Sequence, residues 1–214
     1  MKNTKIKDLQ LIALPKPLFD RSGTVFEALK TRSTSRTIGA KPIPLQILSD
    51  ILWAAQGVNR LAGPFGGPGR TAGSASNAQE IRIYVAIESG IYLYEPASHQ
   101  LTPLVAGDFR SLAIGAGQGD AGGHAPARLI YVVDLEKFKT AGFPEPGLYD
   151  AEIQKSYYFV DTGLIAQNVY LACASLGLAA WFHNCNKPAL AEKLSLPPHQ
   201  PALFGQTIGY PEDT

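Results

Sequence analysis

The sequence has few charged residues, only two cysteines and no long apolar run. Charged residues make up 17% of the 214 positions and the formal net charge is +1, whereas a nucleic-acid or polybasic membrane contact needs a basic surface. No segment reaches the ~20 apolar residues of a membrane span, and the first residues lack the apolar core of a secretory signal. We therefore expect a cytoplasmic protein that binds neither nucleic acid nor membrane.

Several catalytic motifs are also missing. No G-x-S-x-G elbow is present, and the four histidines are too scattered for a zinc site. Residues 117–122 match G-x-G-x-x-G, but the match leads toward Pro126 and a strand instead of opening a helix, so a flexible loop is favoured over a dinucleotide site. Two cysteines form no disulfide framework. Cys185 lies in a predicted loop, and a spectator thiol is favoured there over a reactive one.

The patterns that are present predict one α+β domain. Thr24 and Glu27 fit a capping box for a first helix, and a second helix runs from Pro44 to Gly57. Residues 81–88 alternate as a half-buried strand does, 129–133 fit a strand buried on both faces, and 162–176 are the strongest helix. Without a βαβ rhythm the order favours α+β, with an extended arm over residues 1–22 and a single domain over 23–214.

Two polar segments are candidates for ligand binding. Residues 32–36 place two arginines and three hydroxyls together, which fits either a phosphate site or a solvated basic turn. Residues 73–79 are small and polar, and Asn77 and Gln79 offer both donors and acceptors. That second segment fits either a contact with a flat ligand or a plain loop before a strand.

Together these segments resemble the FMN-dependent nitroreductases. The family signature R-x-S/T-x-R/K is similar to residues 32–36, and P-S-S-x-N-x-Q-P-W-x-F is similar to residues 73–83, although Gly73 and Ile81 replace the proline and tryptophan. Residues 167–168, 176–178 and 208–211 also match, but no basic residue follows Tyr210. Residues 14–17, 52–57 and 92–101 resemble the branch that includes azoline-oxidising dehydrogenases of peptide-modifying gene clusters.

The resemblance implies a fold, a cofactor and a set of site residues. The fold is a three-layer α/β/α sandwich with a mixed, mainly antiparallel sheet, and FMN lies at a homodimer interface. The phosphate is held by Arg32, Thr34 and Arg36, with Ser33 near the isoalloxazine or ribityl chain. The remaining contacts are Ser74 and Asn77 on the partner's flavin, Gln118 at the pyrimidine edge, and Phe182, His183 and Asn184 near N5.

The resemblance also implies an activity. NAD(P)H reduces the flavin, which then reduces a small nitro, quinone or enone substrate by a ping-pong mechanism. No protein side chain is expected to act as catalytic acid or base, because the flavin carries the redox chemistry, and no metal is expected. Two alternatives stay open: an azoline-type dehydrogenase that acts on a peptide, and a flavin-binding protein without turnover.

Overall fold

An antiparallel sheet forms the centre of the molecule in the computed structural model, which describes residues 9–20, 23–63, 67–115, 117–118 and 124–212. Within those ranges the main sheet has seven strands in the order β1-β6-β5-β4-β7-β9-β8, and β2 and β3 form a separate pair. The strands are β1 (Ile12–Ala13), β2 (Val58–Arg60), β3 (Gly69–Arg70), β4 (Ile81–Ile87), β5 (Gly90–Glu95), β6 (Gln100–Ala106), β7 (Ala127–Val133), β8 (Ala179–His183) and β9 (Ala202–Gly209).

Helices cover both faces of this sheet. They are α1 (Val25–Thr31), α2 (Leu45–Gln56), α3 (Glu136–Lys139), α4 (Ala151–Ser175) and α5 (Lys187–Leu194). The buried faces of α2 and α4 pack on one side of the sheet, and α5 with the 3-10 turn Arg110–Ala113 packs on the other. The α+β class and the three layers are therefore confirmed. Every described pairing in the sheet is antiparallel, so the mixed character expected of it is not found there.

Local signals in the sequence account for most element boundaries. The Thr24 capping box starts α1 as predicted, and Gly57 closes α2. The long helix was placed too short, because Asp150 accepts hydrogen bonds from the first-turn backbone and starts α4 at residue 151 instead of 162. The prediction of a half-buried β4 was also wrong, since α5 and its neighbours cover Tyr84 and Ala86 on the second face.

The described part of the N-terminal arm is tied to the sheet edge. Ile12 and Ala13 pair with β6, and the Leu14 backbone N–H donates to the carbonyl of His99 at 3.2 Å. The Ser49 hydroxyl donates to the carbonyl of Pro15 and lies 2.7 Å from Nε2 of His99. The arm thus joins α2 to the β5–β6 turn. Residues 1–8 and 21–22 of the predicted arm lie outside the described residues.

Candidate functional site

The arginine loop, residues 32–36, lies between the end of α1 and the edge strand β8. The Ser35 backbone N–H donates to the carbonyl of Ala180 at 3.0 Å, which fixes the loop against that strand. Tyr170 of α4 joins the same elements: its hydroxyl lies 3.1 Å from Oγ1 of Thr34 and accepts the Phe182 backbone N–H at 2.8 Å. The edge strand β8 and the long helix α4 therefore both hold the arginine loop in position.

Both arginines of this loop lie over aromatic rings. The guanidinium of Arg32 is 5.1 Å from the ring centre of Tyr170, and that of Arg36 is 5.5 Å from Trp181. Among the described residues no carboxylate forms an ion pair with either arginine. The Nε atom of Arg32 is buried without a hydrogen-bond acceptor, which is costly unless an acceptor binds there. Together with the exposed hydroxyls of Ser33 and Thr34, the loop fits an oxyanion such as a phosphate.

The turn after β8 brings together the next predicted residues. Phe182 is half-buried against Tyr131 and Phe204, whereas the side chain of Asn184 is exposed. The carbonyl of Asn184 accepts the backbone N–H of Gly115 at 3.0 Å, and Oε1 of Gln118 accepts the same N–H at 3.0 Å. Gln118 and Asn184 therefore lie side by side, at the end of the strand that carries Trp181.

His183 is placed differently from its neighbours, because its ring is buried. Its Nδ1 lies 2.8 Å from the carbonyl of Asn184 and its Nε2 lies 2.8 Å from Oγ1 of Thr207. Burial lowers the pKa of His183 to about 4, so the imidazole is neutral at pH 7. The ring lies 4.3 Å from that of Trp181 and supports it. Because the His183 ring is buried and both of its nitrogens are occupied, only the main chain of His183 can contact a ligand.

Ser74 and Asn77 form a separate part of the candidate site. They lie in the Ser74–Gln79 loop, in which the Ala75 backbone N–H donates to Oδ2 of Asp161 on α4 at 2.9 Å. Asp161 precedes Tyr170 by nine residues, or about 13 Å along the helix at 1.5 Å per residue. The structure thus brings the arginine loop, the turn at 182–184 and Gln118 together. The loop of Ser74 and Asn77 lies apart from them, toward the N-terminal end of α4.

The Ser74–Gln79 loop borders a cavity and holds unusual backbone. A polar cavity of about 620 Å³, the size of a small-molecule site, is lined by Asn77, Gln79 and Arg70 among others. Ser76, Asn77 and Gln79 have φ of 49°, 55° and 54°, values that are unfavourable for non-glycine residues and are found at ligand-binding loops. The side chain of Arg70 holds the side chain of Gln79 by donating to its Oε1 at 2.7 Å.

Sequence reasoning missed the residues that hold these loops. Tyr170 lies inside the helix predicted over residues 162–176 and Asp161 lies just before it, and no motif marked either of them or Trp181. Burial raises the pKa of the Cys185 thiol to about 11, which agrees with a spectator thiol. The described residues hold no cluster of three or more metal-binding side chains and no helix long and apolar enough to span a membrane.

Comparison with solved structures identifies the nitroreductase fold. A protein of Ralstonia eutropha JMP134 assigned to the nitroreductases aligns with a TM-score of 0.83 and 34% identity, over 95% of this chain and 90% of that one. The sequence profile of the nitroreductase family matches residues 29–210, so the chain belongs to that family and is an oxidoreductase. A relative in Methanocaldococcus jannaschii, also assigned to the nitroreductases, is 30% identical over 159 residues, 71% of this chain and 74% of the relative.

Two more distant structures share the fold alone. The Escherichia coli microcin synthetase McbBCD, in complex with truncated pro-MccB17, aligns with a TM-score of 0.67 and 18% identity, over 93% of this chain and 79% of that chain. The NADPH:FMN oxidoreductase of Vibrio harveyi, in complex with NAD+, aligns with a TM-score of 0.61 and 23% identity, over 88% and 69%. The nitroreductase fold thus occurs both in a microcin synthetase complex and in an NADPH:FMN oxidoreductase.

Proposed function

We propose that the chain is an FMN-dependent oxidoreductase whose cofactor phosphate binds the arginine loop. The observation that carries this proposal is the pair of guanidiniums at the edge of β8, of which Arg32 keeps a buried Nε–H without an acceptor. A phosphate oxygen supplies that acceptor, and Arg36 and Thr34 add a second charge and a hydroxyl. The name of the Vibrio harveyi flavin reductase, which shares the fold, agrees with this cofactor.

The other predicted residues bind and orient the rest of the flavin. Gln118 lies beside Asn184 and offers an amide to the pyrimidine edge, and the exposed Ser33 is the proposed contact of the isoalloxazine or ribityl chain. Phe182 and the main chain of His183 line the ring, while the buried imidazole of His183 holds Trp181 in place. Bound FMN supplies the hydride chemistry, and we assign no protein acid or base.

A homodimer completes the proposed site. The long helix α4 is apolar on its outer face too, where Val160 is 61% exposed and Leu164 is 47% exposed. On α1, Phe26 is 81% exposed. Apolar surface of this kind is typical of an interface. The loop of Ser74 and Asn77 is bound to Asp161, which lies about 13 Å along α4 from Tyr170 beneath the arginine loop. We therefore propose that Ser74 and Asn77 contact the flavin of the partner subunit.

NAD(P)H is the proposed reductant, and a small nitro, quinone or enone compound is the proposed oxidant. The cavity beside Asn77 and Gln79 is large enough for a small molecule. An azoline-type dehydrogenase acting on a peptide is the second candidate, and it rests on the fold shared with microcin synthetase. A flavin-binding protein without turnover is the third.

The absorption spectrum of the purified protein, before and after addition of FMN, tests the cofactor. We expect a flavin spectrum and release of free FMN on denaturation, whereas a colourless protein that takes up no FMN would contradict the proposal. Steady-state oxidation of NAD(P)H with a quinone or nitroarene then separates an enzyme from a binding protein. Flavin reduction by an azoline peptide, with no reduction by NAD(P)H, would select the second candidate.

A further inference from the structure

A buried carboxyl pair, Glu80 and Asp161, lies behind the Ser74–Gln79 loop. Glu80 immediately precedes β4, is fully buried, and accepts the Asp134 backbone N–H through its own carbonyl at 2.8 Å. Its side chain meets that of Asp161 on α4, which is only 5% exposed. Within the described residues no N–H or O–H group of another residue donates a hydrogen bond to either carboxyl oxygen of Glu80.

Two carboxylates in this position cannot both be ionised. Each would be desolvated, and each would repel the other at close range. Burial and the charge of Asp161 raise the pKa of Glu80 to about 8. Burial also raises the pKa of Asp161, but hydrogen bonds from the Ala75 backbone and from Glu80 stabilise its charged form. At neutral pH the proton therefore belongs on Glu80, which donates it to Asp161.

No charged or titratable neighbour named below neutralises the Glu80–Asp161 pair in place of this proton. Arg70 of β3 lines the same small cavity as Asp161, Ser74 and Gln79, but its guanidinium donates to Oε1 of Gln79 and, at 3.3 Å, to Oε1 of Gln56. That cavity, of about 10 Å³, has room for one water at most. On α4, the hydrogen bond with Glu145 is the main cause that raises the pKa of the Tyr157 phenol, and the charge of Asp161 adds to it, so this group stays neutral.

The pair connects directly to strained backbone. Asp161 accepts the Ala75 backbone N–H, and the next residues of the loop include three non-glycine residues with positive φ. Such backbone is unfavourable for residues other than glycine, so the surroundings must hold the conformation. The hydroxyl of Ser74, which accepts the Gln79 backbone N–H at 3.0 Å, supplies one restraint inside the loop. Asp161 supplies one from outside.

We propose that Glu80 and Asp161 share one proton, and that this pair positions the Ser74–Gln79 loop by keeping Asp161 oriented toward the Ala75 backbone N–H. The consequence for flavin binding rests on the proposed function, whereas the effect on the loop does not. Glu80 acts through Asp161 and is a positioning residue. Loss of its proton places a second negative charge beside Asp161 and releases the loop.

The experiment compares wild type with Glu80→Gln, which keeps a donor toward Asp161 but does not titrate, and with Glu80→Ala, which removes the donor. Glu88→Gln makes the same chemical change at an exposed position just after β4 and is the matched control. Infrared spectra at pH 7 report the C=O band of a protonated carboxylic acid. Hydrogen exchange of residues 73–79 in flavin-free protein, corrected for intrinsic rates, reports the loop from pH 6 to 10.

We expect Glu80→Gln alone among the two glutamine variants to lose the protonated-carboxyl band. Loop protection in wild type should fall about ten- to a hundredfold as the pH rises past 8, the effect of losing one hydrogen bond to a charged group. Protection should be independent of pH in Glu80→Gln and low at every pH in Glu80→Ala. FMN affinity should follow the same three profiles.

Two outcomes would overturn the proposal. One is a protonated-carboxyl band that persists in Glu80→Gln, and the other is wild-type loop protection that does not change between pH 6 and 10. The proposal requires that Glu80→Gln keeps the loop protection that Glu80→Ala loses, which a general loss of stability would not produce. A fall in protection in both Glu80 variants at all pH values therefore also counts against the proposal. Failure to bind FMN with the exchange profiles as expected contradicts the proposed function and supports the carboxyl pair.

Discussion

Replacement of Arg36 by alanine tests the phosphate assignment most directly. Arg36 is exposed and its guanidinium contacts Trp181 at 5.5 Å, whereas Arg32 is partly buried against Tyr170. Loss of Arg36 therefore disturbs the fold less than loss of Arg32. The exposed cation–π contact of Arg36 contributes only about 0.5–1 kcal/mol to the free energy of unfolding. A charge-assisted contact with phosphate contributes about 1.5–3 kcal/mol, so FMN should bind about ten- to a hundredfold more weakly.

Riboflavin provides the internal control because it lacks the phosphate. Titration of flavin-free protein, followed by flavin fluorescence, should show a large loss of FMN affinity in Arg36→Ala and less than about threefold change for riboflavin. Arg36→Lys keeps the charge without the planar fork, so its FMN affinity should lie between those of wild type and Arg36→Ala. Lys139→Ala removes a positive charge that is paired with Glu136 on α3 and should leave both affinities unchanged. Equal weakening of FMN and riboflavin would refute the assignment and leave Arg36 as a packing residue for Trp181.

Three further outcomes are expected. Tyr170→Phe removes the acceptor of the Phe182 backbone N–H and should lower the free energy of unfolding in urea by about 1–3 kcal/mol and weaken FMN binding; unchanged values would contradict the joining role of the hydroxyl. Because the pKa of His183 is lowered to about 4 in the folded chain, the unfolded chain takes up the proton first, and stability should fall from pH 6.5 to 4 by up to about 1.4 kcal/mol per pH unit. His183→Gln should flatten that slope in pH-dependent urea unfolding. Leu164→Glu should dissociate the proposed dimer in sedimentation experiments and lower FMN affinity, whereas a dimer that persists would place the interface elsewhere.

Periodicity and capping residues were sufficient to predict most of the fold. The capping box at Thr24, the glycine after α2 and the apolar run of β7 each act within a few residues of chain. The predicted start of α4 at residue 162 was wrong because the buried stripe used to place it begins only there, whereas the Asp150 cap starts the helix at residue 151. The second buried face of β4 depends on α5, which lies about 100 residues further along the chain, and alternation cannot report such a contact.

The candidate site was predictable only where its residues are close in sequence. The two arginines of residues 32–36 form a local pattern, and the structure keeps them together. Tyr170, in contrast, becomes important because α4 passes under both the arginine loop and β8. Glu80 and Asp161 are separated by 80 residues, and only the packing of α4 against the start of β4 creates a shared proton from two ordinary acidic residues.

Both edges of the central sheet are protected by chain segments that are not long strands. At one edge the two residues of β1 and the bond network around Pro15 cover β6, and at the other Ser35 of the arginine loop covers β8. An uncovered edge is a template for pairing with another chain. Ligand loss that loosens the arginine loop would therefore expose the β8 edge, so aggregation during storage should be slower with phosphate or FMN present, and removal of residues before Lys16 should open the opposite edge to the same process.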